Sequence, residues 1–145
     1  MKQDWRYGAA SAASELIGGL RIVTLRGPIT LQVLSQLKLD LALQNTAPTH
    51  AIVADWRRAV CAVSVEDLGA VALGGGARGP SFLAGAIVAN EESLATFHDH
   101  AWRMFPHGIL RVTFLRLDDA VVWTQVQVRA SLARREQLPP ALLAA

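Results

Sequence analysis

Several side chains in this sequence are of types that do chemistry. Asp55, Glu66 and Asp67 offer carboxylates and His50 a base, and acid–base work needs such groups within hydrogen-bond reach of a shared atom. His50 opens the apolar run 50–54 and Asp55 follows it, so in an extended strand the two stand roughly 15 Å apart. They form no catalytic pair. His98, Asp99, His100 and His107 are metal-ligand types, but residues two apart on a helix face opposite ways, so His98 and His100 cannot grip one ion. They read as surface histidines, and no metal or cofactor site is expected.

The glycine-rich stretch 74–79 invites a phosphate-loop reading, yet it follows a helix and precedes a strand. A phosphate loop needs the reverse order, so that the next helix aims its N-terminus at the anion, together with a lysine and a hydroxyl that are absent here. The stretch reads as a connector. Cys61 is the single cysteine, set among Val60, Ala62 and Val63, and reads as a buried, inert thiol with no disulfide partner. Ser64 stands three residues before Asp67, the spacing of a helix N-cap. A phosphoserine there would also gain from the helix dipole and backbone donors, so Ser64 is the one candidate phosphoacceptor, with the cap as the first reading.

These groups sit in a chain whose length fits one domain with its own core. The formal charge is only +2 and the arginines are scattered from Arg6 to Arg135. That distribution argues against a nucleic-acid surface. No apolar run approaches the length needed to span a bilayer, and the N-terminus lacks the apolar core of a signal peptide. A soluble, cytoplasmic protein is the expectation.

Residues 1–19 are mixed, with Trp5 and Tyr7 suited to a short edge strand and glycines at 8, 18 and 19 marking turns. The β-branched run 21–25 reads as a strand stopping at Gly27 and Pro28. Thr30 caps a helix whose buried face is Leu31, Leu34, Leu37 and Leu41. The run 50–54 is a short central strand covered on both faces, ending in the polar group Asp55, Trp56, Arg57 and Arg58. Ser64 opens the next helix, glycines 74–76 end it, and 82–89 is another strand. Asn90 caps a helix starting at Glu91 that carries Leu94, Phe97 and Trp102. A strand over 109–115 precedes a last helix with Val122, Val126 and Leu132 on its buried side, and 137–145 is a frayed tail. The predicted order is β-β-α-β-α-β-α-β-α, an α/β fold with a single mixed, mainly parallel sheet of about five strands and about four helices.

That layout resembles the SpoIIAA-like fold of STAS-type regulators, which is related to lipid-binding CRAL-TRIO domains. The resemblance rests on 23–27 leading into the Leu31 helix, on Ile52, Val53, Ala54 and Asp55 before the Ser64 helix, on 86–89 before the Glu91 helix, and on Phe114 with Trp123. It covers roughly residues 20–133 and is one of layout more than motif, similar to bacterial stand-alone members of no assigned activity. STAS regulators carry a phosphorylatable serine almost directly after the strand matching 52–54. Here Trp56, Arg57 and Arg58 stand there, and the nearest serine is Ser64.

The resemblance implies a non-enzymatic regulatory domain with a protein partner. Strand ends are where open α/β sheets place ligands, which makes Asp55, Trp56, Arg57 and Arg58 the candidate partner-binding residues. A second reading is a carrier or sensor of a small apolar, lipid-like ligand between the sheet and a helix hinged at 74–76. An enzyme of unassigned class is the third. Homodimerisation through an exposed sheet edge is compatible with each.

Overall fold

The computed structural model describes residues 2–43, 51–74 and 84–136. The strands β1 (Lys2–Tyr7), β2 (Ala10–Ile17) and β3 (Leu20–Thr30) open the chain as an antiparallel meander. From β3 the pairing turns parallel, through β4 (Ala51–Ala62) and β5 (Ala84–Val88) to β6 (Arg111–Phe114). The result is one mixed six-stranded sheet in the spatial order β1-β2-β3-β4-β5-β6. Between the parallel strands run α1 (Leu31–Leu43), α2 (Val65–Leu73) and α3 (Leu94–Met104), and α4 (Leu117–Glu136) follows β6.

Parallel neighbours need crossovers, and crossovers of one hand that all step the same way along a sheet put their helices on one face. The two cores show this. Leu37 of α1, Leu68 of α2 and Phe97 of α3 bury against Val23, Leu25, Ile29, Trp56 and Ile87. On the other face Leu20, Ala51, Val53, Ala86 and Val88 pack under Ala120 of α4. Alternation within β4 serves both cores, with Ala51 and Val53 toward α4 and Ile52 and Ala54 toward the other helices.

The α/β class and the single mixed sheet are as expected; the strand count is six rather than about five. The additional strand is β2, whose sequence Ala-Ser-Ala-Ala-Ser-Glu-Leu-Ile is poor in strand formers. Its small residues are a packing requirement, since Ala10, Ala12 and Ser14 are buried on the core side. β3 does not stop at Gly27 and Pro28 but runs to Thr30. Gly27 takes φ +78° where a Cβ would lie 2.5 Å from the Ala9 carbonyl oxygen. Pro28 falls beyond the last β2 partner, where a missing N–H faces an open edge.

The helices need smaller corrections. Thr30 Oγ1 accepts from Val33 N at 3.3 Å, and Leu37 is the buried centre of α1 while Leu31 lies at its exposed margin. α3 begins at Leu94, not Glu91, because Asn90 and Ser93 first close a turn, Ser93 N donating to Asn90 Oδ1 at 2.9 Å. Trp102 is 78% exposed, and His100 and Met104 are buried in its place. On α4 the inward face is Leu117, Ala120, Val121, Thr124 and Val128 rather than Val122 and Val126, which are exposed. Thr124 hides in that stripe because its hydroxyl donates to the Ala120 carbonyl at 2.7 Å. The Leu132 side chain, His50, Gly75, Gly76, Phe82 and the tail from 137 lie outside the described residues.

Candidate functional site

The polar group expected at the end of β4 lies in its middle. Pairing with β3 runs Thr24 to Asp55 and then Arg26 to Arg58, so β4 carries one extra residue across that step. This is a β-bulge, and it reverses which residues face the core. Ile52, Ala54 and Trp56 face α1–α3 before it, and Ala59, Cys61 and Val63 after it. Arg57 and Arg58, between Trp56 and Ala59, are therefore both exposed. β5 pairs with β4 only as far as Asp55, so the bulge falls where the central sheet ends and β3 and β4 continue as a pair.

Asp55 is buried and holds this corner. Its Oδ1 accepts from Arg57 N at 3.1 Å and Arg57 Nε at 3.0 Å, and its Oδ2 accepts from Arg57 Nη2 at 2.9 Å. The hydrogen-bonded carboxylate raises the Arg57 guanidinium above its ordinary pKa, outweighing partial desolvation, and Asp118 at the start of α4 adds to the pull. Asn90 Nδ2 donates to the Arg57 carbonyl at 3.4 Å, tying the bulge to the segment after β5. Arg58 makes no ion pair among the described residues.

Trp56 does not present its ring to solvent. It is 4% exposed and tilted against Phe97 at a centroid distance of 4.9 Å. Ser64 is separated from the group. From Arg58 to the end of β4 at Ala62 is about 13 Å of strand, and Ser64 follows beyond it as the N-cap of α2, its Oγ accepting from Asp67 N at 3.1 Å. Cys61 is half-buried, its thiol pushed up by burial, and Sγ donates to the Val63 carbonyl at 3.6 Å.

The carboxylates and histidines weighed as catalytic or metal-binding groups do not converge on one another. Glu66 is exposed and pairs with Arg103 at 3.3 Å, and Arg103 also meets Asp99 at 3.1 Å. His98 and His107 are exposed, whereas His100 is buried, contrary to its reading as a surface histidine. Among the described residues no group of three or more His, Cys, Asp or Glu side chains could hold a metal ion. Asn90 and Asp118 join the Arg57 corner, although in the sequence they read only as helix-start residues. Their meeting depends on three segments distant in sequence, and no local spacing announces it.

Two solved structures are similar to this chain across most of their length. One is an uncharacterised protein of the DUF3478 family with a SpoIIAA-like fold from Shewanella loihica PV-4, with TM-score 0.54, 14% identity, and coverage of 83% of this chain and 97% of that one. The other is an anti-sigma factor antagonist from Mycobacterium paratuberculosis, with TM-score 0.53, 17% identity, and coverage of 80% and 94%. The chain therefore has the SpoIIAA-like fold. No protein-family model matches the sequence, and no curated protein does. Among the described residues no helix is long and apolar enough to cross a membrane.

Proposed function

We propose that the chain is a non-enzymatic regulatory domain that binds another protein through the bulge of β4, with Arg57 and Arg58 at the surface and Asp55 and Trp56 fixing them from below. The observation that carries this reading is the bulge itself. It turns two consecutive arginines outward on a strand whose neighbours are buried, so the charges are presented on a rigid support rather than on a loop. Bulges re-aim side chains in this way where a surface has work to do. The fold supports the reading, since one structure of similar layout is an anti-sigma factor antagonist, though fold alone does not specify function.

An acidic protein surface is the matching partner, because Arg57 is already balanced by Asp55 while Arg58 offers a planar fork suited to a carboxylate. In this reading Ser64 is a helix cap. A phosphate on it would sit beside Glu66 and Asp67 in the first turn of α2, where like charges oppose it. The reading is tested by immobilising the full chain and capturing proteins from its own host. The double variant Arg57→Glu, Arg58→Glu should lose the partner, while Ser64→Ala should keep it. Retention by the double variant would remove the proposed surface.

A further inference from the structure

At the strand-start pole of the sheet, opposite the Arg57 corner, Arg111 and Lys38 make no ion pair among the described residues. Arg111 opens β6 in register with Gly85 of β5, which is in register with Ile52 of β4. A Cβ on Gly85 would stand 2.6 Å from Arg111 Nη1 and 3.1 Å from its Cδ and Cζ. The guanidinium therefore lies across a bare glycine, on the face where Ile52 joins the α1–α3 core. Among the described residues its hydrogen bond runs from Nη1 to the adjacent Leu110 carbonyl at 3.2 Å, which leaves most of the five donors of an arginine for something else.

Two further groups lie on the helices that cover this face, where α3 packs against β6 and α1 against α2. Lys38 of α1 donates through Nζ to the Val71 carbonyl in the last turn of α2. Desolvation first, and the Arg111 charge second, lower its pKa. His100 of α3 is 5% exposed, and its buried Nδ1 has no hydrogen-bond partner. Burial, and then Arg111, hold its pKa down to about 4. The carboxylates nearest in sequence are engaged elsewhere: Asp40 accepts from Tyr7 at 2.7 Å and Gln36 at 3.2 Å, and Asp99 pairs with Arg103. The sequence stretches 44–50 and 75–83 that lead into β4 and β5 contain no Asp or Glu.

A structural role accounts for Lys38, which satisfies an orphan carbonyl at a helix C-terminus. It does not account for Arg111 over the glycine or for the buried, unpaired imidazole nitrogen, an arrangement that costs free energy unless a partner arrives. We propose that Arg111, Lys38 and His100 form a binding site for a small phosphate-type dianion, with the guanidinium fork and the ammonium taking its charge and His100 Nδ1–H donating to one oxygen. The charges match, since two fixed cations beside a neutral imidazole balance one dianion, and a guanidinium fork fits two oxyanion oxygens at once. Lys38 and Arg111 keep part of their surface exposed, while burial lowers the Arg111 guanidinium pKa. It is independent of the Arg57 and Arg58 surface.

The test is titration of the full chain with inorganic phosphate at pH 7, read by calorimetry and by the imidazole signals of His100 in NMR. Saturable one-to-one binding is expected, weakened at least tenfold in Arg111→Gln and in Lys38→Gln, with the His100 pKa rising in the bound state. Lys38→Gln lies on a half-exposed helix position and keeps the test valid if Arg111→Gln does not fold. Acetate, a monoanion, should not compete. Absence of saturable phosphate binding, binding unchanged in a folded variant, or competition by acetate would overturn the assignment.

Discussion

Asp55 and Arg57 show how two residues at close range make a rigid corner. A buried carboxylate is tolerable only when its oxygens are occupied, and Arg57 occupies both. Arg57→Ala should therefore destabilise the protein by about 1–3 kcal/mol, measured by urea unfolding, even though the arginine itself is largely exposed. His100 makes the matching argument for pH. The unfolded chain protonates it near 6.5 and the native protein only near 4, so between those values the unfolded state binds more protons. Its contribution is intact above pH 6.5 and is lost as the pH falls toward 4, a difference on the order of 3 kcal/mol. Unfolding midpoints of the wild type should fall between pH 7 and pH 4.5, and His100→Gln should flatten that slope. At this scale Ser64 was legible, because a cap is a local spacing. Trp56 was not, because the bulge that buries it arises from the pairing of β3 with β4.

At the scale of elements, legibility followed how strongly a segment's pattern is set by its own residues. The helices with apolar stripes, α1 and α2, and the run at 51–54 were readable. β2 was not, since its alanines and serines are chosen by the space beneath them and not by strand propensity. Gly27 looked like a stop signal but is a point of close approach between β2 and β3, with φ +78° and no room for a Cβ. Gly27→Ala should cost at least about 2 kcal/mol, visible as a lowered thermal midpoint. The N-terminal hairpin is also fastened to α1, where the Tyr7 hydroxyl donates to Asp40 Oδ2 at 2.7 Å. Burial first, and Asp40 second, raise the phenol above its ordinary value of 10.0. As Tyr7 is the one tyrosine, a spectrophotometric titration reads it alone and should show ionisation delayed past pH 10. Tyr7→Phe should cost about 1.5 kcal/mol by the lost hydrogen bond to a charged group.

At the scale of the whole molecule, the fold separates two poles that the sequence mixes. Arg57 and Arg58 stand where the central sheet ends, beside Asn90 and the start of α4, while Arg111 and the anion site proposed around it lie where the parallel strands begin. A net charge of +2 conceals this arrangement, because ion pairing with Asp55, Asp99 and Glu66 occupies Arg57 and Arg103, while Arg58 and Arg111 make no ion pair among the described residues. The α/β layout was legible from alternating strands and helices, since connection rules leave few ways to arrange them. Which residues surface at each pole was not, because that depends on a bulge, a glycine and a turn that act across strands. The central claim is that the β4 bulge is a protein-binding surface, and the most direct measurement compares the proteins captured from the native host by wild type and by the folded Arg57→Glu, Arg58→Glu variant. The account predicts a defined partner retained by wild type and lost at least tenfold by the variant; equal capture by both would contradict it.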